Sequence, residues 1–212
     1  MKCPVCEQAH THLFMHIDGV DYWRCETCQA TYLDPAARPS HERELAEYQL
    51  HNNDVADAGY RNFLAKVATP LLARLAPAQS GLDFGCGPGA LLAGMLREAG
   101  HTMAVYDPFF SPDTSVLHTQ YDFITCTEVA EHFHRPADEF RRLDAMLKPG
   151  GWLAIMTCFQ TDDARFANWH YRRDPTHVVF YRAATLQYLA KQYGWECEIP
   201  CTNVALMKKS SG

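Results

Sequence analysis

The stretch GLDFGCGPGALLAGMLREAG, Gly81–Gly100, constrains this chain more than any other. Leu82–Gly85 reads as a strand and Ala90–Ala99 as a helix, with Gly85, Gly87 and Gly89 at alternate positions between them. Glycine accepts positive φ and leaves the backbone bare for a close approach. A strand, a bare turn and a helix in that order belong to an α/β fold that receives a ligand at the edge of its sheet.

The following residues continue the alternation. Thr102–Asp107 and Asp122–Cys126 read as strands, and Pro136–Leu147 reads as a helix with proline at its first position. KPGG, Lys148–Gly151, is predicted to be a turn before the strand WLAIMT. Ala184–Tyr193 is a helix, and Glu196–Pro200 with Asn203–Lys209 form a closing pair of strands. A mainly parallel sheet covered by helices on both faces follows. Upstream, Tyr60, Phe63, Leu64, Val67, Leu71, Leu72 and Leu75 recur at three- and four-residue spacing, giving a helix that Pro70 kinks or ends. The expected organisation is a small unit over residues 1–35, the α/β domain over 36–209 and a tail at 210–212.

The first unit is defined by two pairs, CPVC (Cys3, Cys6) and CETC (Cys25, Cys28), separated by eighteen residues. Each pair closes a knuckle in which two thiolates converge, and eighteen residues suffice for a hairpin that faces the knuckles toward each other. A segment this small has little core, so a metal would supply much of its folding energy. Four sulfurs saturate a tetrahedral ion, which makes the expected zinc structural rather than catalytic. His10, His12 and His16 are competing ligands that the spacing does not require. The other five cysteines, Cys86, Cys126, Cys158, Cys197 and Cys201, read as small buried hydrophobes. No run of about 18 apolar residues is present, and MKCPVCEQAHTH lacks the apolar core of a signal peptide, so a cytoplasmic protein with no membrane span is expected.

Two ligand classes suit the glycine turn. Read as GxGxxA, with Asp107 downstream, it matches the dinucleotide fingerprint. Read as DxGxGxG, it places Asp83 two residues before the first glycine. A pyrophosphate seeks bare N–H groups at a helix N-terminus, and a neighbouring carboxylate repels it. Asp83 instead suits an ammonium or sulfonium group, and Asp107 suits ribose hydroxyls. The chain also lacks the length for the further substrate domain that a dehydrogenase uses.

LDFGCGPG resembles the first motif of class I S-adenosylmethionine-dependent methyltransferases. YDFITCTEVAEHF, Tyr121–Phe133, is similar to their fourth-strand segment, and LDAMLKPGGWLAIMT, Leu143–Thr157, to their approach to strand five. The order and spacing agree over roughly residues 40–209. CPVC…CETC followed by YLDP resembles the zinc-ribbon head carried by some of these enzymes, and WHYRRDPTH before a helix and GW is similar to the tail of that group. The resemblance implies a Rossmann-like fold, S-adenosylmethionine as cofactor and a zinc ribbon. It implies that Gly85, Gly87 and Gly89 line the methionine and ribose side, Asp83 sits near the amino group, and Asp107 binds the ribose. Thr127 and Glu128 would face the reactive end. One departure stands out. Where the family has a helix, a third strand and an acid for adenine, this chain has only PFFSPDTSVLHTQ, with room for a short strand at Ser115–His118. Phe109, Phe110 and His118 are the candidates for adenine.

Methyl transfer needs in-line alignment and exclusion of water, and a hydroxyl or ammonium acceptor also needs a base. The 26 residues from Cys158 to Ala183 join a strand to a helix and are long enough for a lid. They hold Trp169, His170, Tyr171, Arg172, Arg173, Asp174 and His177. His177 is the first candidate base, His170 the second and His132 of EVAEH the third. Tyr48, His51 and Asn52 of YQLHNND are candidates to cover the pocket. Two function classes fit: a small-molecule methyltransferase with the ribbon as structural cover, or an RNA- or protein-modifying enzyme with the ribbon as recognition module. A non-enzymatic sensor of the same cofactor is a third, weaker class. Residues 1–35 carry two basic residues (Lys2, Arg24) against five acidic ones (Glu7, Asp18, Asp21, Glu26, Asp34), and the whole chain carries a formal charge of −6. That disfavours a phosphate backbone and favours the small-molecule class, unless Arg141, Arg142, Arg172 and Arg173 combine into a basic patch.

Overall fold

The computed structural model describes residues 1–49 and 58–211. His51 and Asn52 lie outside the described residues. Three short strands come first: β1 (Thr11–Ile17), β2 (Val20–Cys25) and β3 (Thr31–Leu33). Two helices follow, α1 (His41–Tyr48) and α2 (Ala58–Leu72). The alternating part runs β4 (Ser80–Phe84), α3 (Leu91–Glu98), β5 (Thr102–Tyr106), β6 (Tyr121–Thr127), α4 (Pro136–Met146) and β7 (Leu147–Met156). It closes with β8 (Val179–Phe180), α5 (Ala183–Tyr193), β9 (Glu196–Cys201) and β10 (Val204–Lys208).

The main sheet has the order β5-β4-β6-β7-β10-β9. Its first four strands are parallel, and β10 and β9 close it antiparallel. Successive side chains of a strand point to opposite faces, and β7 shows it. Leu153 and Ile155 face α4 and α5, with Phe140, Leu143 and Leu186 in one cluster. Ala154 and Met156 face α2 and α3, with Leu64, Val67 and Leu96 in the other. Both faces are covered, so the middle of β7 is apolar without alternation. Pro70 falls within the last turn of α2, where the helix is running out. Among the described residues no helix is long and apolar enough to cross a membrane.

Of the five cysteines read as buried, Cys126 is buried, Cys86, Cys158 and Cys197 are half-buried and Cys201 is exposed. Two further sequence expectations are corrected. Ser115–His118 is not a strand but part of a 3₁₀ turn, Thr114–His118, capped by the Asp113 carboxylate on the Ser115 N–H at 2.9 Å. The chain leaving β5 doubles back at once, because Asp107 and Ser111 exchange both backbone hydrogen bonds at 3.0 Å. What remains before β6 is too short for a helix and a further parallel strand, so β5 is the sheet edge. KPGG, in turn, lies inside β7. Tyr121 pairs with Leu147 and Phe123 with Trp152, so six residues of β7 oppose three of β6, and the excess is taken up as a bulge. Gly150 has φ +75°, and a Cβ on Gly151 would stand 2.8 Å from the Asp122 carbonyl oxygen.

The N-terminal strands join the α/β part through the lid segment. β3 pairs antiparallel with β8, Thr31 opposite Phe180 and Tyr32 opposite Val179. One buried cluster runs without a break from Cys3, Cys6, Cys25, Cys28 and Tyr32 to Phe180, Tyr181 and Leu186. Arg24, 5% exposed, makes a two-pronged ion pair with Asp163 at 2.8 and 3.3 Å and donates to Thr31 Oγ1 at 2.7 Å. That pairing holds the Asp163 carboxyl below the usual carboxylate range.

Candidate functional site

β4 ends in the glycine turn. Gly85 adopts φ +78° and Gly87 φ +64°, the left-handed region that glycine enters without penalty. A Cβ on Gly85 would lie 2.2 Å from Val129 Cγ2, so the residue is held by close approach as well as by φ. The Gly85 and Cys86 N–H groups both donate to the Tyr106 carbonyl, at 2.7 and 3.1 Å, which ties the turn to the end of β5. Gly85→Ala is therefore expected to displace the turn. We expect at least a tenfold loss of ligand affinity and a stability loss of about 1–3 kcal/mol, measured by calorimetry and urea unfolding.

Asp107 braces the same turn. Its Oδ2 accepts the Gly87 N–H at 3.0 Å, and its Oδ1 accepts those of Phe109 and Phe110 at 2.9 and 3.1 Å. A carboxylate has about four lone-pair sites, so one on Oδ2 remains for a ligand hydroxyl. Asp107→Ala is expected to weaken ligand binding about tenfold or more and also to cost roughly 1–3 kcal/mol of stability, since three backbone donors lose their acceptor. Affinity and melting temperature measured on the same sample would check both parts.

Asp83 lies beneath the turn, 3% exposed, and accepts a hydrogen bond from Thr125 Oγ1 at 2.7 Å. Burial pushes its carboxyl up to about 6, against the opposing pull of the Thr125 hydroxyl. No lysine or arginine forms an ion pair with it among the described residues. Thr127, at the end of β6, has a buried Oγ1 with no hydrogen-bond partner among the described residues. Glu128 follows at φ +52°, unusual for a side-chain-bearing residue, with its N–H on the Met156 carbonyl at 2.7 Å. Burial, then the nearby Glu131 charge, raises its carboxyl to about 8.

These groups line one cavity of about 910 Å³. The structure brings Asp83, Gly85, Gly87, Asp107, Thr127 and Glu128 into its wall together with Tyr48, His132, Tyr171, Asp174 and His177. Gly89, Trp169 and His170 lie outside the wall. Gly89 and His170 are exposed, and Trp169 packs on Phe166, Tyr171 and Phe180. Phe109 and Phe110 line the cavity, whereas His118 is exposed and outside it. α1 covers one side, with His41 and Tyr48 against the Phe109 ring at 4.5 and 5.2 Å and Tyr48 edge-on to His132 at 5.3 Å.

The lid strap crosses the segment after β6. Val178 N–H donates to the Glu131 carbonyl at 2.8 Å, and His132 Nδ1 meets the Thr176 carbonyl at 3.1 Å. His177 is 8% exposed with Nδ1 2.7 Å from the Tyr171 carbonyl. Burial lowers its pKa, partly offset by the Glu131 charge. Glu131 itself is fully buried and accepts the Tyr171 hydroxyl on Oε1. Glu131, His41 and Glu44 were not among the residues singled out in sequence. Glu131 alone left a signal, a second carboxylate in EVAEH beside a chosen histidine.

At the far end, all four sulfurs of Cys3, Cys6, Cys25 and Cys28 lie within 4.8 Å of one another. Cys3 and Cys28 sulfurs are 3.7 Å apart and those of Cys6 and Cys25 are 3.6 Å apart, too far for disulfides. A tetrahedron of sulfurs about 2.3 Å from a zinc ion has edges of about 3.8 Å. Knuckle N–H groups point at the sulfurs, Val5 to Cys3 at 3.4 Å and Cys28 to Cys25 at 3.5 Å. The donor set fits zinc.

A family model described as "Methyltransferase domain" matches residues 28–198. The chain belongs to that family. The match begins at Cys28, so the other three cysteines precede it. This methyltransferase domain is 30% identical over 101 residues to a ubiquinone biosynthesis O-methyltransferase of Marinobacter nauticus, covering 36% of this chain and 42% of the relative. It is 29% identical over 147 residues to the mitochondrial ubiquinone biosynthesis O-methyltransferase of Schizosaccharomyces pombe, covering 54% of each. The chain thus spans about half the length of the curated relatives it matches. The fold is shared with 1,6-didemethyltoxoflavin-N1-methyltransferase of Burkholderia thailandensis, solved with 1,6-didemethyltoxoflavin and S-adenosylhomocysteine. That likeness has a TM-score of 0.53 at 17% identity and covers 95% of this chain and all of the other.

Proposed function

We propose that this methyltransferase domain moves a methyl group from S-adenosylmethionine to a small-molecule acceptor. The observation that carries the reading is the pairing, in one cavity, of the buried Asp83 carboxylate and a Thr127 hydroxyl without a partner among the described residues with a bare glycine turn. A buried carboxylate without a cation is costly, and a ligand that brings an ammonium and a sulfonium relieves that cost. Gly85 and Gly87 would hold the amino-acid portion, the remaining Asp107 lone pair a ribose hydroxyl, and Phe109 with Phe110 the adenine. When bound, S-adenosylmethionine supplies a methyl carbon on a cationic sulfur that leaves with its bonding pair.

The remaining work falls to the chain's own residues. Thr127 and Glu128 face the reacting end. The lid strap and α1 exclude water, with Tyr48, Tyr171 and Asp174 in the cavity wall. His177 and His132 are the groups placed to take a proton from the acceptor. In both rings a backbone carbonyl meets Nδ1, which leaves the lone pair on Nε2. The curated relatives support a small-molecule acceptor, since their names, ubiquinone biosynthesis O-methyltransferase, place their own reaction in the making of a small molecule.

Charge also favours a small acceptor over RNA. Arg141 pairs with Glu7 and Asp138, Arg142 with Glu139, and Arg172 with Asp18. Three of the four arginines considered for a basic patch are thus neutralised within the fold, and the ribbon remains acidic. In the same reading the four thiolates hold one structural zinc. The direct test is transfer of labelled methyl from S-adenosylmethionine to phenol, amine and RNA fractions. Label in a phenolic or amine fraction is expected; label confined to RNA would overturn the small-molecule assignment.

A further inference from the structure

Glu131 carries a carboxylate oxygen that the fold does not satisfy. The residue is fully buried, Oε1 accepts the Tyr171 hydroxyl, and Oε2 has no hydrogen-bond partner among the described residues. Methyl transfer as proposed gives it no task. Around it the ligand atoms of His132 and His177 come within 4.8 Å of its own and of each other. The two imidazole rings stand 4.7 Å apart by centroid.

The surroundings of both rings follow the pattern of metal-ligating histidines, which give their other ring N–H to a carbonyl or carboxylate. His177 Nδ1 sits 2.7 Å from the Tyr171 carbonyl and His132 Nδ1 3.1 Å from that of Thr176. Each contact fixes the tautomer and directs the Nε2 lone pair as the donor. The Tyr171 hydroxyl, itself 3.0 Å from Thr157 Oγ1, orients the carboxylate in the same way. His132 and His177 line the 910 Å³ cavity while Glu131 lies behind them, so a cation here has protein at its back and cavity in front.

We infer that Glu131, His132 and His177 bind a divalent transition-metal ion whose open positions face the acceptor side of the cavity. Two imidazoles and one carboxylate suit zinc, cobalt, iron or manganese, and do not suit calcium or magnesium, which prefer all-oxygen sites. The ion's role, to orient an oxygen-bearing acceptor beside Glu128, rests on the methyl-transfer reading; its binding does not. With the ion in place, the lone pairs of both His132 and His177 serve the metal instead of the acceptor proton.

The test uses the full chain with its four-thiolate site loaded with zinc, dialysed at neutral pH against Co²⁺, with both metals counted by elemental analysis. One cobalt per chain is expected beside the retained zinc. X-ray absorption at the cobalt edge should show a nitrogen and oxygen shell with imidazole scattering. Glu131→Gln and His177→Gln should each weaken cobalt binding at least about tenfold, at unchanged zinc content and far-ultraviolet circular dichroism. Wild-type protein that takes up no cobalt overturns the inference. So does a sulfur shell, or uptake undiminished in both variants. The absorption spectrum is read on wild-type protein, so the inference stays testable even if a variant does not fold. No methyl donor is present, so failure here leaves the methyl-transfer reading standing.

Discussion

Asp83→Asn is expected to lower the affinity for S-adenosylhomocysteine by about 10- to 150-fold while leaving the protein folded. The change removes one buried charge and keeps the oxygen that accepts from Thr125. A hydrogen bond to a charged group is worth about 1.5–3 kcal/mol, which sets the range. The pH dependence carries a sign. Burial raises the Asp83 carboxyl to about 6 from 3.8. The unliganded fold therefore binds that proton more tightly than the unfolded chain does, and its stability from this group falls as pH rises between about 4 and 6. The shift corresponds to about 3 kcal/mol, fully lost above pH 6. Ligand binding runs the other way, because a cationic amino group needs the ionised form. Wild-type affinity should fall by up to about tenfold per pH unit below about 6, and the slope should vanish in Asp83→Asn. Calorimetry across pH 5–8 reads both. An identical slope in wild type and variant would remove Asp83 from the ligand's charge partners.

Removing the zinc proposed for the cysteine site is expected to have the largest effect on stability. Cys28→Ser, or a strong chelator, should lower the melting temperature by about 10 °C or more. The cysteines belong to the same buried cluster as Phe180, Tyr181 and Leu186, and β3 pairs directly with β8 at the end of the lid segment. A loss of about 3–5 kcal/mol, at roughly 2–4 °C per kcal/mol for a chain of this size, gives that figure. The strap holding His177 is only two residues from β8, so ligand affinity should fall in parallel. Cys201→Ser, at an exposed cysteine, should change neither. Protein that lacks zinc after gentle purification yet melts as before on chelation would remove the metal from the ribbon's stability.

Local patterns carried most of the fold. Strand β4, its glycine turn and α3 were legible because their period, their Asp83 and their glycines lie within twenty residues. Where the sequence reading failed, distant or three-dimensional constraints had decided. KPGG contains every sign of a turn, yet β6 pairs with β7 on both sides of it and the tail beyond β10 bonds to it, the Gly150 N–H meeting the Lys209 carbonyl at 3.1 Å, so the segment stays within the strand as a bulge. Ser115–His118 has the composition of a strand but no neighbour to pair with, since Asp107 turns the chain back on itself. Glu131 was passed over for a different reason. Its partners Tyr171 and His177 are supplied forty or more positions later, and only the fold reveals that its second oxygen is left over. That Asp83, Gly85, Gly87, Asp107, Thr127 and Glu128 line one cavity was readable from the resemblance, whereas the choice among the three histidines was not. Exposure separates His170 from His132 and His177, and exposure depends on how the strap crosses the segment after β6.

Calorimetric titration of the wild-type chain at pH 7.5 with S-adenosylmethionine, S-adenosylhomocysteine and NAD⁺ in parallel tests most directly whether the Asp83-flanked turn holds a cationic sulfur donor. The account predicts one site per chain for the first two ligands and no heat from NAD⁺. Binding of NAD⁺ alone, or of none of the three, would contradict it.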